Sequence, residues 1–132
     1  MRKEAVVSMQ LSERQIGGVT VLDLVGRLTI DQDAQRLKDK INSLILQERT
    51  SIILNLGGIS YIDSGGLGQL VASYSSLAKA RGALKLLNVN KRNHDLLSIT
   101  HLVTLFQTFD VEDEALRSFQ TPRAAAAGSS GV

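Results

Sequence analysis

The stretch from Ile52 to Ala78 constrains this chain most. Ile52, Ile53, Leu54 and Leu56 form a short, nearly continuous apolar run, the pattern of a strand covered on both faces. Gly57-Gly58 interrupts that run, and Ile62-Asp63-Ser64-Gly65-Gly66-Leu67-Gly68 follows. From Leu67 onward, Leu70, Val71, Tyr74, Leu77 and Ala78 fall at the three/four spacing of one helix face. Ser64 therefore stands where a buried strand ends and an amphipathic helix begins. It reads as an N-cap with its hydroxyl near solvent, and the function is expected there.

The rest of the chain repeats this alternation. Val6, Val7, Met9 and Leu11 predict a first strand, Glu13 to Gly18 a polar turn, and Val19 to Val25 a second strand closed by Gly26. Asp31 or Asp33 starts a helix, where a carboxylate suits the helix dipole, with Ile30, Ala34, Leu37, Ile41, Leu44 and Ile45 inward. The helix from Ser64 is expected to stop at Gly82 as its C′ residue. Leu84 to Val89 predicts another strand, with Lys85 on an exposed side or end. Asn90 caps a short helix carrying Leu96, Leu97 and Ile99; Val103 to Phe109 reads as an edge strand and Val111 to Phe119 as a last helix. Strand–helix–strand crossovers demand parallel neighbours, so the fold class is α/β: a mixed, largely parallel sheet with helices mainly against one face. Residues 1–120 are expected to form one domain. Residues 121–132 have little to bury and are expected to form a flexible tail.

Composition excludes several chemistries. Among 132 residues there is no cysteine, which rules out disulfides and thiol catalysis. Fifteen basic against thirteen acidic residues leave a formal charge of +2, and only five aromatics are present. A surface reading nucleic acid directly is not indicated. His94 and His101 lie seven apart without a companion ligand set, so no metal is expected. The spacing Ile62-Asp63-Ser64 departs from Gly-x-Ser-x-Gly, and no phosphate-binding Lys-Ser/Thr loop exists. No cofactor is expected. No apolar run is long enough to cross a bilayer, and a cytoplasmic protein is the default expectation.

The run Leu54-Asn55-Leu56, Ile59 and Tyr61-Ile62-Asp63-Ser64-Gly65-Gly66-Leu67-Gly68 resembles the signature of the STAS domain of anti-sigma factor antagonists. The resemblance extends from residue 6 to 119. It implies the STAS fold and a function without catalysis, in which the chain binds an anti-sigma factor that is also a serine kinase and so releases a sigma factor. In that family the serine after the aspartate is phosphorylated by this partner and dephosphorylated by a PP2C-type phosphatase; the matching residue is Ser64. The resemblance thus implies a phosphoacceptor as well as a cap. Asp63, Ser64, Gly65, Gly66, Gly68, Gln69, Ala72 and Thr29 are the implied partner-binding residues.

This chain departs from the family at Gly26-Arg27-Leu28-Thr29, where many members carry two carboxylates. It also has Gly65 for a common Ser or Thr, and His101 before Leu102 for a common Gly. The small residues Gly65, Gly68 and Ala72 either let a partner's backbone approach or only pack the helix on the sheet. Two further readings stand beside the leading one. One is a docking subunit of a lipid-transport or signalling complex without phosphorylation control; the other is an enzyme using Ser64 as nucleophile. A monomer is expected.

Overall fold

A computed structural model describes residues 9–120. The elements run β1 (Gln10–Ile16), β2 (Val19–Leu28), α1 (Gln32–Leu46), β3 (Ser51–Ile62), α2 (Ser64–Lys79), β4 (Ala83–Leu87), α3 (Lys91–Ile99), β5 (Thr108–Phe109) and α4 (Glu112–Gln120). The sheet order is β1-β2-β3-β4-β5; β1 is antiparallel to β2, and every later pair is parallel. The mixed, largely parallel α/β sheet is as expected.

One face of the sheet carries Leu22, Leu24, Leu28, Ile52, Leu54, Leu56 and Leu86. These pack against Leu37, Ile41 and Leu44 of α1, Leu67, Leu70 and Leu77 of α2, and Leu97 of α3. The opposite face is covered over Val19, Val21, Ile53 and Leu87 by Ala115, Leu116 and Phe119 of α4. Among the described residues, three helices thus lie on one face and one on the other. β2 and β3 read as continuous apolar runs because both of their faces are covered there.

The structure redraws several boundaries. The polar stretch expected as a turn is β1 itself: Gln10 to Ile16 pair with Val25 to Val19, and only Gly17-Gly18 turns, both at positive φ (56° and 88°). A two-residue hairpin with both φ positive matches the right-handed twist of its strands. Met9 is buried just before β1, while Val6, Val7 and residues 121–132 lie outside the described residues. β2 does not close at Gly26 but runs to Leu28, and β3 runs through Gly57-Gly58 to Ile62. Register shifts between Asp23 and Val25 and between Gly26 and Arg27, with Gly26 at φ 118°, absorb the extra residues as bulges. β4 pairs with β3 only as far as Asn55. Beyond that point α3 replaces the missing strand: the Nδ2 groups of Asn90 and buried Asn93 donate to the Ile59 carbonyl at 3.2 and 3.1 Å.

Side-chain placements change too. Ile30, expected inside, is 66% exposed, because α1 begins after it and its buried face starts at Ala34. Ile99 and Ala78 face solvent at the outer sides of their helices. The long edge strand expected over Val103–Phe109 shrinks to Thr108–Phe109. Lys85 is buried rather than exposed: it points under α4, where its Nζ donates to Ser118 Oγ at 2.8 Å and lies 4.2 Å above the Phe119 ring. The C′ residue of α2 is Arg81, not Gly82. Arg81 takes φ 64°, its N–H reaches the Ala78 carbonyl, and the Gly82 N–H reaches that of Leu77, the Schellman pattern. Gly82 is needed for another reason: a Cβ there would lie 2.2 Å from the Thr50 carbonyl oxygen.

Candidate functional site

The carboxyl ends of β2 and β3 and the first turn of α2 meet at one corner. Its centre is Asp63, not Ser64. Asp63 has extended backbone (φ −93°, ψ −178°) and is the N-cap of α2. Its Oδ1 accepts from the Gly66 N–H at 2.8 Å, and its Oδ2 accepts from the Ile30 N–H at 3.0 Å. Its own N–H donates to the Leu28 carbonyl at 3.2 Å. One carboxylate thus ties the helix start to the loop after β2. Burial alone would raise the Asp63 carboxyl, but the N–H donors of Gly66 and Ile30 outweigh it and hold it below its ordinary value. An Asp63→Asn variant keeps one acceptor and presents an amide to the Ile30 N–H. It is expected to cost about 1 kcal/mol, read as a lower urea midpoint at neutral pH.

The two glycines after Ser64 serve this junction. A Cβ on Gly66 would lie 2.1 Å from the Leu28 carbonyl oxygen, and one on Gly65 would lie 2.2 Å from Ile30 Cβ. Both are required for close approach between helix and loop. Gly68 is different: it is exposed, and a Cβ there meets nothing within 4 Å. Ala72 is exposed as well, one turn further along. The small residues therefore divide, Gly65 and Gly66 packing the fold while Gly68 and Ala72 leave an open strip.

Ser64 is the first residue of α2 and is exposed. Its hydroxyl makes no hydrogen bond among the described residues. The capping role expected of it belongs to Asp63, leaving this hydroxyl spare at a helix end that favours anions.

A family model for the STAS domain matches residues 10–115. The chain belongs to the STAS domain family. It is 25% identical over 117 residues to the anti-sigma F factor antagonist of Paenibacillus polymyxa, covering 86% of this chain and 97% of that protein. It is 26% identical over 108 residues to the anti-sigma-B factor antagonist of Listeria monocytogenes, covering 82% and 93%. Among solved structures, the Bacillus cell fate determinant SpoIIAA in its phosphorylated form superimposes with a TM-score of 0.67 at 25% identity. That match covers 85% of this chain and 99% of the other.

The remaining expected site residues of this STAS domain divide by orientation. Thr29 is half-buried, and its hydroxyl donates to Asp33 Oδ2 at 3.0 Å, which ties the loop to the first turn of α1. Gln69 is half-buried and donates to Ser73 Oγ at 3.0 Å. Three exposed side chains at this corner were not singled out from the sequence as site residues: Ile30, packed against Gly65; Tyr61, 41% exposed; and Arg92, whose guanidinium lies 6.0 Å from the Tyr61 ring centre. Ile30 and Arg92 belong to no motif, and Tyr61 opens the signature run without being marked by it as a contact residue. The loop after β2 brings Ile30 to the rim, and the overhang of β3 beyond β4 brings Tyr61 there beside Arg92 of α3. Among the described residues no group of three His, Cys, Asp or Glu is placed to hold a metal ion, and no helix is long and apolar enough to cross a membrane.

Proposed function

We propose that this STAS domain is an anti-sigma factor antagonist that works by docking rather than catalysis and is switched at Ser64. Its partner is an anti-sigma factor that is also a serine kinase. The unphosphorylated chain binds this partner and frees a sigma factor; phosphorylation of Ser64 ends the complex, and a PP2C-type phosphatase restores it. The setting is the cytoplasm, and the chain acts as a monomer. The names of its relatives support the docking role. One observation carries the choice of Ser64: its hydroxyl is exposed and unused, while Asp63, Gly65 and Gly66 make the contacts that hold the corner together.

The physics of such a switch follows from position. A phosphate on Ser64 adds about −1.5 to −2 charges at neutral pH. Placed on the first turn, it meets the positive end of the helix dipole, so the fold tolerates it. At the middle of a docking face it adds charge and bulk against the partner. Gly68 and Ala72 form the strip along which the partner's backbone approaches.

Intact-mass analysis of the protein from its own cells, with the modified site mapped, tests the reading first. A phosphate on Ser64 supports it. An unmodified Ser64 across growth conditions favours a docking subunit without phosphorylation control. In titrations with the purified kinase partner, Ser64→Ala is expected to bind like the unphosphorylated chain, and Ser64→Asp at least about tenfold more weakly. Both variants are expected to melt within a few degrees of the parent. Equal affinities would remove Ser64 from the mechanism.

A further inference from the structure

Arg27 and Tyr61 are register partners on β2 and β3, so their side chains leave the same face of the sheet. α4 covers that face only lower down, over Val19, Val21, Ile53 and Leu87. Tyr61 is 41% exposed, Arg92 of α3 stands over its ring, and Val25 beside them is 51% exposed. Arg27 and Arg92 are both exposed, and neither forms an ion pair among the described residues. Two carboxylates of this end of the sheet, Asp63 and Asp95, are committed elsewhere. Asp63 faces the Gly66 and Ile30 N–H groups, and Asp95 pairs with Lys91 at 3.1 Å. Asp31, exposed at the start of α1, is the acidic group left on the neighbouring loop. Arg92 donates one N–H to the Ser60 carbonyl at 3.5 Å, so the rim beyond the carboxyl ends of β2 and β3 is an aromatic ring flanked by two guanidinium groups without an ion pair among the described residues.

We infer that this rim selects an acidic protein surface: the partner's carboxylates engage Arg27 and Arg92 around an apolar contact on Tyr61. The inference rests on the docking reading and gives its partner a charge. Guanidinium groups bind carboxylates bidentately and stack on aromatic rings, and both geometries are offered here. A nucleic-acid duplex is a poorer fit, because two cations and one aromatic on a chain of net charge +2 make neither a phosphate-tracking stripe nor a stacking platform. An acidic partner also explains how a phosphate on Ser64 would act. Its charge meets the same carboxylates that the arginines attract, so repulsion replaces attraction at one edge without refolding.

The test is an amide-resolved NMR titration of the full chain with a synthetic peptide of alternating Glu and Leu. A Lys/Leu peptide, a DNA duplex and phosphatidylglycerol vesicles are titrated beside it. The expected result is shifts at Arg27, Tyr61, Ser64 and Arg92 with the acidic peptide alone, with affinity falling at least about tenfold from low to high salt. The double variant Arg27→Gln/Arg92→Gln, altered only at exposed positions, is expected to keep its melting temperature and lose those shifts. No shift at these residues, or displacement of the peptide by DNA or vesicles, overturns the inference. Ser64 phosphorylation is scored separately by mass. Phosphate on Ser64 with no peptide binding overturns the acidic partner alone; peptide binding with Ser64 never phosphorylated overturns the switch and keeps the acidic surface.

Discussion

Gly66→Ala is expected to destabilise the domain by about 2–3 kcal/mol, whereas Gly68→Ala, two residues along the same helix, is expected to stabilise it by about 0.5–1 kcal/mol. Alanine is the better helix former at both positions, so helix propensity pushes both variants the same way. Space decides the sign. At Gly66 the new methyl would lie 2.1 Å from the Leu28 carbonyl oxygen and 3.0 Å from Leu28 Cγ. That oxygen cannot retreat freely, because it accepts from the Asp63 N–H. The helix start must therefore lift, which also stretches the hydrogen bonds of the Asp63 carboxylate to Gly66 and Ile30. At Gly68 the methyl enters open space. Urea midpoints of the two single variants measure the difference directly. Equal midpoints would mean that the junction between α2 and the loop after β2 adapts without cost. In that case the glycines would not be the close-packing residues described above.

That pair also shows what sequence can and cannot say about this corner. Helical spacing from Leu67 to Leu77 places α2 and its buried face, because one apolar stripe at period 3.6 is strong local information. The three glycines look alike in one dimension, and their different roles depend on the loop at Leu28–Ile30, which is distant in sequence. Asp63 and Ser64 are both good caps; the choice falls to Asp63 because Asp63 alone has extended backbone and reaches two N–H groups from different segments. β1 was hidden by its edge position. With one neighbour and mostly exposed side chains, Gln10–Ile16 needs no apolar alternation, and only pairing with β2 makes it a strand. Gly57 and Gly58 normally punctuate, yet here they sit inside β3 at its register shift against β2, and the strand runs on past the end of its pairing with β4. Lys85 follows the alternation rule for an exposed residue in a sheet covered on one face. α4 covers the other face, and the lysine stem is buried beneath it.

Arg14→Ala is expected to cost about 2 kcal/mol at neutral pH and to flatten the acid limb of the stability curve. The Arg14 guanidinium joins β1 to β2 and α4. Its Nε and Nη2 donate to Asp23 at 2.7 and 3.0 Å, and its Nη1 and Nη2 donate to Glu112 at 3.0 and 2.8 Å. Asn55 Nδ2 completes the group by donating to Asp23 Oδ1 at 2.7 Å. The arginine side chain is 39% exposed, so solvent screens part of this energy, and the expected cost sits below that of a fully buried pair. The hydrogen bonds that Glu112 and Asp23 accept raise the Arg14 guanidinium above its ordinary value. The same bonds lower both carboxyls against an opposing effect of burial. A carboxyl lowered in the folded state contributes stability that is fully present above its unfolded value, near pH 4, and lost as the pH falls through the folded value. The parent is therefore expected to lose stability more steeply than the variant below about pH 5, so that the two curves converge in acid. Glu13 and Asp63, also lowered, stay in both proteins, and the difference curve isolates the Arg14 group. Parallel curves from neutral to acid pH would show that Arg14 acts through packing on the sheet rather than through its two carboxylates. An Arg14→Lys variant separates these readings further: it keeps the charge but not the paired donors, and it is expected to recover less than half of the loss.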